Sequence, residues 1–144
     1  MKDLLTAIKT QLQTDLTYVR DGDVFITEDE NLIPSDVKFP AVGLKDGPVE
    51  WVVDEFGDNK TQKMTVTAIA YVSILRPEAS VMGDNQGKGV LDIIDDIKNS
   101  LDENTLSNEV NDARIVSEAE SEPIGDDSIV VQKKTATFQY VRFS

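Results

Sequence analysis

The sequence predicts an α+β fold, in which a mainly antiparallel β-sheet with a long β-hairpin carries two α-helices packed on one face. Three observations lead to this fold class. Residues 61–75 alternate between apolar and more mixed side chains, as the two faces of a strand require. A turn sequence at residues 57–60 separates this run from a second β-rich run at residues 49–56. Two further stretches have apolar residues three or four positions apart, which indicates amphipathic helices.

The predicted elements follow the order α–β–β–α–β–β in one domain spanning residues 1–144. The first helix covers residues 2–16 and has one apolar stripe. This stripe comprises Leu5, Ile8, Leu12 and Leu16. Residues 24–27 are a candidate short strand, and the acidic residues 28–36 form a predicted exposed loop. The β region begins next to Pro40, since proline is tolerated at a strand start or on a sheet edge.

The strand at residues 61–75 is the element on which the others are expected to pack. One of its faces is wholly apolar, and the other mixes threonine, tyrosine and aliphatic residues, as in a strand that is partly covered on that side. The apolar face comprises Met64, Val66, Ala68, Ala70, Val72 and Ile74. With the run at residues 49–56 this strand forms a predicted antiparallel hairpin whose tip lies near residues 58–59.

Pro77 ends this strand, and residues 78–89 form a predicted connection that contains glycine and asparagine. A second helix follows over residues 90–102, with Asp84 or Asn85 as a candidate N-cap. The side chains predicted to bind this helix to the sheet are Ile94, Ile97 and Leu101. The remaining segments are predicted as a polar linker, a strand, a turn and a long final strand, at residues 103–111, 113–121, 123–127 and 128–143 in that order.

The composition of the chain argues against most enzymes. Its 144 residues include no cysteine and no histidine. A disulfide framework, a zinc–thiolate site and a cysteine nucleophile are therefore excluded, and the commonest general base is missing. The 27 acidic and 14 basic residues give a net charge of -13, which repels phosphate backbones and argues against reading of a nucleic-acid sequence. We predict a protein that is not an enzyme and needs no cofactor.

The sequence also shows no sign of a membrane or secretory segment. No apolar run approaches the ~20 residues of a membrane span, and the N-terminus becomes polar too soon for a secretory signal. We expect the protein to be made in a cytoplasm and to have no membrane partner.

Two patterns that could carry chemistry lack the required spacing. A phosphate-binding loop needs four residues between its glycines and a serine or threonine after its lysine. Here three residues separate Gly83 from Gly87, and Gly89 follows Lys88, so a flexible loop is predicted. The acidic clusters lack the alternating ligands and bidentate glutamate of a calcium loop. They are predicted to be solvated faces and turns.

The hairpin tip at residues 57–60 and the loop at residues 76–88 are predicted to contact partner proteins. Both are polar, contain glycine and lie where strands end. Trp51 is the single tryptophan, and we interpret it as a packing or subunit-contact residue. The candidate contact residues are Trp51, Asp58, Asn59, Lys60, Asn85, Gln86 and Lys88.

Glu118, Glu120 and Glu122 alternate along the predicted strand, so their three carboxylates are expected on one of its faces. Two interpretations stay open. A solvent-facing edge with several charges deters aggregation. Alternatively, a negative wall lines the lumen of an oligomer or faces a basic partner surface.

The chain resembles the tail terminator (tail completion) proteins of long-tailed bacteriophages and related prophages over nearly its full length. The features that carry the resemblance are the Phe-Pro-Ala-Val-Gly start of the β region at residues 39–43, the alternating strand at 64–74, the glycine-rich loop and helix at 87–101, and the two closing strands. They are matters of length, order and pattern, and no catalytic residue is transferred with them.

The resemblance implies a structural protein that forms a hexameric ring on the head-proximal end of the tail tube. Such a ring stops growth of the tube and provides the docking surface for the head and neck. The implied partners are further copies of the chain, the tail tube protein and a neck or head-completion protein, with DNA passing through without specific binding. The implied location is the head–tail junction of the virion, after assembly in the host cytoplasm.

Two other functions stay open at this point. One is another head–tail connector, such as a neck or head-closure protein of similar size. The other is a small acidic inhibitor that mimics DNA, which explains the charge without a ring. The mass in solution separates a ring from the monomer or dimer that such an inhibitor needs.

Overall fold

The structure is a computed structural model that describes residues 1–54, 56–57, 59–125 and 130–143. Its helices are α1 (Lys2–Asp15), α2 (Pro77–Met82) and α3 (Val90–Leu101), with a 3-10 turn at Asp21–Asp23. Its strands are β1 (Val24–Ile26), β2 (Ala41–Val53), β3 (Lys60–Ser73), β4 (Asp112–Glu118), β5 (Glu122–Gly125) and β6 (Val130–Phe143). All strands but one pair are antiparallel. The predicted α+β fold is therefore confirmed.

One sheet contains all six strands, in the order β1-β2-β3-β6-β4, and β5 pairs with β6 beyond the end of β4. Strand β1 pairs with β2 in parallel. The long hairpin is β2–β3, whose register runs from Ala41 opposite Tyr71 to Val53 opposite Lys60. Strand β6 accompanies β3 over almost its whole length. The sheet is thus longest along its three central strands.

The two β-rich runs predicted before the hairpin tip are a single strand, β2, interrupted by a bulge. The register with β3 shifts between Asp46 and Val49, and Gly47 lies at this point. A Cβ atom at Gly47 would lie 2.9 Å from the carbonyl oxygen of Thr65, so a residue without a side chain allows the close approach of the strands.

Helices α1 and α3 pack together on one face of the sheet, which we call the helix face. Most of the predicted apolar face of β3 lies beneath them, whereas Ile74 lies beyond the end of this strand. The sheet residues in this core are Met64, Val66, Ala68 and Ala70 of β3, with Val72 partly buried, and Ala136, Phe138 and Tyr140 of β6. The helix residues buried in this core are Leu4, Leu5, Ile8 and Leu12 of α1 and Val90, Ile93, Ile94, Ile97 and Leu101 of α3. Both predicted helical stripes are confirmed.

The opposite face of the sheet, which we call the far face, has a second and smaller core. Its buried members are Phe25, Ala41, Ile69, Tyr71 and Val131. The rings of Phe25 and Tyr71 stack with their centroids 5.8 Å apart. Ile33, Val37 and Phe39 pack against this core from the loop at residues 27–40. Most residues of the predicted exposed loop, 28–36, are exposed as expected. The longer segment 27–40, which we call the cover loop, nevertheless covers part of the far face through Ile33, Val37 and Phe39.

Lys133 of β6 fastens this cover to the sheet. Its buried ammonium lies 2.7 Å from a Glu30 carboxylate oxygen, 2.8 Å from the Asn31 side-chain oxygen and 3.0 Å from Glu122. Burial alone would lower the pKa of Lys133, but the hydrogen bonds to Glu30 and Glu122 raise it above its ordinary value. The Tyr71 hydroxyl also donates to the Glu30 carbonyl, at 2.6 Å.

Two predictions for the region between β3 and β4 are wrong. The strand ends at Ser73, before the predicted residue 75, and Pro77 begins the short helix α2 within the predicted connection, where its missing N–H costs nothing. The N-cap of α3 is Gly89 rather than Asp84 or Asn85, and the Asp92 carboxylate accepts a hydrogen bond from the Gly89 N–H at 3.1 Å. Gly89 has no side chain to accept from the first N–H groups of the helix, so only the N3 half of a capping box, from Asp92 to the N-cap N–H, is present.

The predicted polar linker and the turn near the C-terminus also differ from expectation. Leu106 and Val110 of the linker are buried in the helix-face core. Strand β4 stops at Glu118, and Pro123 belongs to β5 rather than to a turn. The rest of the predicted turn and the first residues of the predicted final strand, residues 126–129, lie outside the described part of the chain.

Asp23 joins the two ends of the cover loop and makes part of the stability dependent on pH. Its buried carboxylate accepts from the Arg20 guanidinium at 2.7 and 3.0 Å and from the Lys38 N–H at 3.0 Å. The bond from Arg20 holds the pKa of Asp23 below its ordinary value. A lowered pKa means that the stabilisation is present above the ordinary pKa and is lost as the pH falls through the folded-state pKa.

We expect Asp23→Asn to lower the free energy of unfolding by about 1–3 kcal/mol at pH 7. The difference from wild type should shrink as the pH falls below about 4, where the unfolded-state carboxyl gains a proton, and it should be lost once the pH is below the lower folded-state pKa. Urea unfolding at a series of pH values measures this difference. Asp36→Asn, at an exposed position nearby, is the matched control. A difference between Asp23→Asn and wild type that did not change with pH would contradict the assignment.

Candidate assembly surface

The three central strands extend past the helices, and we call their free end the distal arm. It comprises residues 49–54, 56–57, 59–63 and 141–143. Met64 is the last fully buried residue of β3 on the helix face. Beyond it the strands stay paired, out to Val53 opposite Lys60 and Thr61 opposite Phe143. The arm is therefore regular β-structure without the cover that helices give the rest of the sheet.

Large apolar side chains are exposed on both sides of the distal arm. Val49, Trp51 and Val53 alternate on the helix face, and Trp51 is 58% exposed. Val52 and Phe143 lie on the far face, on either side of Thr61. Exposed apolar surface that is continuous in this way marks an interaction site more often than solvent-facing structure.

The outer edge of β2 is also open along the arm. Strand β1 pairs with β2 only as far as Leu44, and the Thr27 N–H makes one further bond to the Leu44 carbonyl. Beyond Leu44, no strand in the described part of the chain covers this edge. An open strand edge presents unpaired N–H and C=O groups to another chain.

The hairpin tip is organised by Asp54 and Asn59. The Asn59 side-chain amide donates to the Asp54 carboxylate at 3.2 Å, and the Asp54 N–H donates to the Asn59 carbonyl at 3.1 Å. Lys60 begins β3, while Asp58 lies outside the described residues. Asn59 thus shapes the tip, and its predicted contact with a partner protein stays a prediction.

The second predicted contact loop, residues 83–89, lies at the other end of β3 and is held by its own hydrogen bonds. The Asp84 carboxylate accepts from the Arg76 guanidinium and from the N–H groups of Gln86 and Gly87, the last two at 2.8 and 3.2 Å. The Gln86 side-chain oxygen also accepts from Arg76, at 3.3 Å, and Asn85 is exposed. The loop therefore has a conformation defined by its own hydrogen bonds, and its predicted flexibility stays a prediction.

Lys88 ties this loop to the helices. Its ammonium lies 2.6 Å from the Asp96 carboxylate and 4.6 Å from the centroid of the Tyr18 ring. The Tyr18 hydroxyl donates to the same carboxylate at 2.6 Å. Burial alone would raise the pKa of Asp96, but the bonds from Lys88 and Tyr18 lower it below its ordinary value. The carboxylate therefore stays ionised and holds loop and helices together.

The predicted single row of Glu118, Glu120 and Glu122 is wrong. The strand is interrupted between β4 and β5, and the register with β6 shifts before Ser117. Glu118 lies opposite Ala136 and therefore on the helix face, whereas Glu122 lies opposite Lys133 on the far face. Two-residue spacing keeps side chains on one face only while the strand stays regular.

Two of the three carboxylates are also paired with lysines. Glu118 lies 3.1 Å from Lys98 of α3 and 3.8 Å from Lys134, and Glu122 is one of the partners of Lys133. Glu120 is exposed in the break between the strands. The placement of these residues against a lumen stays a prediction, for which Glu120 is the candidate without a lysine partner among the described residues.

We expect Trp51→Ala to leave stability nearly unchanged and to weaken assembly. Most of the indole is in solvent, so the free energy of unfolding should change by less than about 1 kcal/mol. Urea unfolding measures the stability, and sedimentation with partner proteins measures the binding. Thr65→Ala, on the same hairpin but inside the covered sheet, is the control for binding. A loss of stability above about 2 kcal/mol would show that Trp51 is a core residue.

Comparison with known proteins gives a likeness in fold and no match in sequence. No protein-family model and no curated protein sequence matches the chain. A chain in the solved structure titled "Virion of native gene transfer agent (GTA) particle" superposes with a TM-score of 0.57 at 10% identity. The match covers 98% of this chain and 95% of that chain. The two chains share a fold.

None of the described helices is long and apolar enough to cross a membrane. Among the same residues, no three acidic side chains come together in a group that could hold a metal ion.

Proposed function

We propose that this chain is a structural protein of a virion and forms the terminator ring of its tail. The observation that supports the proposal is the likeness in fold, over 98% of the chain, to a chain of a gene transfer agent virion. In this role the chain binds the head-proximal end of the tail tube, stops its growth and presents a docking surface to the head or neck. The role needs positioned surfaces and no catalytic group.

The distal arm fits this role because each subunit of a ring contacts its two neighbours through two different surfaces. The arm exposes Trp51 and its neighbours on one face and Phe143 on the other. Partners that bury all the exposed apolar side chains of the arm therefore have to contact both of its faces. A partner strand can instead pair with the open edge of β2. Tail tube protein and neighbouring copies are the proposed partners at this end of the sheet.

The net charge of -13 fits a channel that DNA passes without sticking. We place Glu120 toward that channel, since it is the exposed member of the three predicted carboxylates that no lysine neutralises in the described part of the chain. Glu118 and Glu122 instead fix α3 and the cover loop through Lys98 and Lys133.

The proposal is tested with tail tubes assembled from the tail tube protein of the same virion. Tubes grown with the purified chain should have a uniform length and a ring at one end in negative-stain images. Tubes grown without it should vary widely in length. Tails of normal length that fail to join heads when the gene is deleted would indicate a neck or head-closure protein instead. A purified chain that stays monomeric, binds neither tubes nor heads, and inhibits a DNA-binding protein would indicate a DNA mimic.

A further inference from the structure

We infer that Lys133 and Asn31 form an isopeptide bond, which links strand β6 covalently to the cover loop. The Lys133 ammonium donates to the side-chain oxygen of Asn31 at 2.8 Å. It also lies 2.7 Å from a Glu30 carboxylate oxygen and 3.0 Å from a Glu122 carboxylate oxygen. A lysine nitrogen, an amide carbon and a carboxylate that moves protons are the groups that such a bond requires. The inference goes beyond the proposed function and does not depend on it.

The nucleophile is fixed by the sheet around it. The Lys133 side chain is only 3% exposed. In the sheet Lys133 lies between Tyr71 of β3 and Glu122 of β5, which are its direct cross-strand partners. A nucleophile that folding holds against its target reacts far faster than the same pair of groups free in water, because little orientational freedom is left to lose.

The amide is fixed by the turn that carries it. The backbone N–H of Asn31 donates to the Asp29 carboxylate at 2.8 Å. The Tyr71 hydroxyl holds the preceding residue through the Glu30 carbonyl, at 2.6 Å. Asn31 itself is exposed, so ammonia released from its side chain can leave to solvent. Rotation of the amide about its side-chain bonds turns the Cγ atom toward the lysine nitrogen.

The reaction exchanges one amide for another and needs no further reactant. The carboxylate of Glu30 or Glu122 takes one proton from the Lys133 ammonium. The free amine attacks Asn31, so that the Nζ–Cγ bond forms and the Cγ–Nδ2 bond breaks. The amide nitrogen takes the proton from the carboxylic acid and leaves as ammonia, and Nζ returns its surplus proton to the carboxylate. This proton leaves with the ammonia as an ammonium ion.

The same carboxylates make the reaction slow at neutral pH. Burial alone would lower the pKa of Lys133, but the hydrogen bonds to Glu30 and Glu122 raise it above its ordinary value. Only the neutral amine attacks, and below the pKa its fraction rises about tenfold for each pH unit. Conversion should therefore be faster at about pH 9 than at pH 7. The other titratable side chains at this place are those of Tyr71, Glu120 and Lys134.

The bond would tie the cover loop to the sheet in a chain that has no cysteine for a disulfide. Asn31 and Lys133 are 102 residues apart in sequence. A cross-link that closes so long a loop restricts the unfolded chain far more than the folded one. The linked form should therefore have a Tm higher than that of the unlinked form by about 10 °C.

Intact-mass spectrometry of the purified chain tests the inference, because the bond removes one ammonia molecule from each chain. The expected result is a species lighter than the sequence by one ammonia, which accumulates during incubation at about pH 9 and more slowly at pH 7. A protease digest should contain the peptide of Asn31 joined to the peptide of Lys133. A mass that stays equal to that of the sequence at both pH values would overturn the inference.

Two variants separate this bond from ring closure of Asn31 on its own backbone, which also releases ammonia. Lys133→Met and Asn31→Ala should both abolish the ammonia loss, with circular dichroism to show that they are folded. Lys134→Met is the matched control on the next residue of β6, whose ammonium bonds to the Ala119 carbonyl, and it should leave the loss unchanged. Ammonia loss that persists in folded Lys133→Met would assign it to ring closure and overturn the inference.

Discussion

Replacing Ile97 by alanine should lower the free energy of unfolding by about 2–5 kcal/mol. Ile97 is fully buried on α3 between that helix and the sheet. Removing its branched side chain loses the burial of the deleted methyl and methylene groups and leaves a cavity, because a packed core relaxes only in part. Urea or thermal unfolding followed by circular dichroism measures the loss.

The control for Ile97→Ala is Asp95→Ala on the outer side of the same helix. Asp95 is exposed, and its ion pair with Lys98 at 3.1 Å is solvated, so the expected change is below about 1 kcal/mol. The total stability of a domain this size is about 5–15 kcal/mol. Ile97→Ala should therefore reduce assembly through loss of folded protein. A cost near that of Asp95→Ala would mean that this face of α3 is not packed on the sheet.

Gly89→Ala should also be strongly destabilising, by about 1–3 kcal/mol or more. A Cβ at Gly89 would lie 2.4 Å from the Val81 carbonyl oxygen and 2.5 Å from the Gly83 nitrogen. Both are backbone atoms, so α2 or the start of α3 must shift to make room. The Gly89 N–H would then lose its bond to Asp92. The same unfolding measurements give the size of this effect.

Gly87→Ala provides the matched control within the same loop. A Cβ at Gly87 meets nothing within 4 Å, so the substitution should change stability by less than about 0.5 kcal/mol. The two variants differ only in the space around the added methyl group. Equal stabilities for Gly87→Ala and Gly89→Ala would show that the loop is free to move away from α2. The groove between the end of β3, α2 and this loop would then have no fixed wall.

The sequence was sufficient for the elements whose pattern is local. The alternation of β3, the apolar stripe of α1 and the buried face of α3 are each set by spacing along a single element. A helix or strand must place its apolar residues at its own period to bury them. The fold class, the hairpin and the helix face followed from these periods.

The contacts between elements could not be obtained in this way. The predicted exposure of residues 28–36 is largely correct, but the packing of Ile33, Val37 and Phe39 on the far face was not predicted, because three apolar residues in an irregular segment have no period. Glu30 is held there by Lys133, which is distant in sequence and buried between strands. The short helix α2 and the N-cap of α3 at Gly89 could not be predicted from the sequence either. Helix α2 is too short to show a helical period, and glycine at an N-cap is only a weak signal.

For the candidate assembly surface, too, the sequence predicted local features but not the contacts between elements. Trp51 and the loops at the two ends of β3 were singled out as contact regions from their composition, and their contact with a partner stays a prediction. The row of Glu118, Glu120 and Glu122 was wrong, because a bulge and a break between β4 and β5 turn two of them to opposite faces. Lysines on α3 and β6 then decide which carboxylate is neutralised.

By itself the sequence determined the secondary-structure periods, the acidic charge and the lack of histidine and cysteine, because each depends on residue identity and order alone. Only the tertiary structure decided where the helices stop covering the sheet, and hence that the distal arm is bare on both faces. Coverage depends on how far α1 and α3 reach across strands that are remote in sequence. The exposure of Phe56 at the hairpin tip therefore depends on how the sheet and helices pack together. The same holds for the groove between the other end of β3, α2 and the loop at residues 83–89.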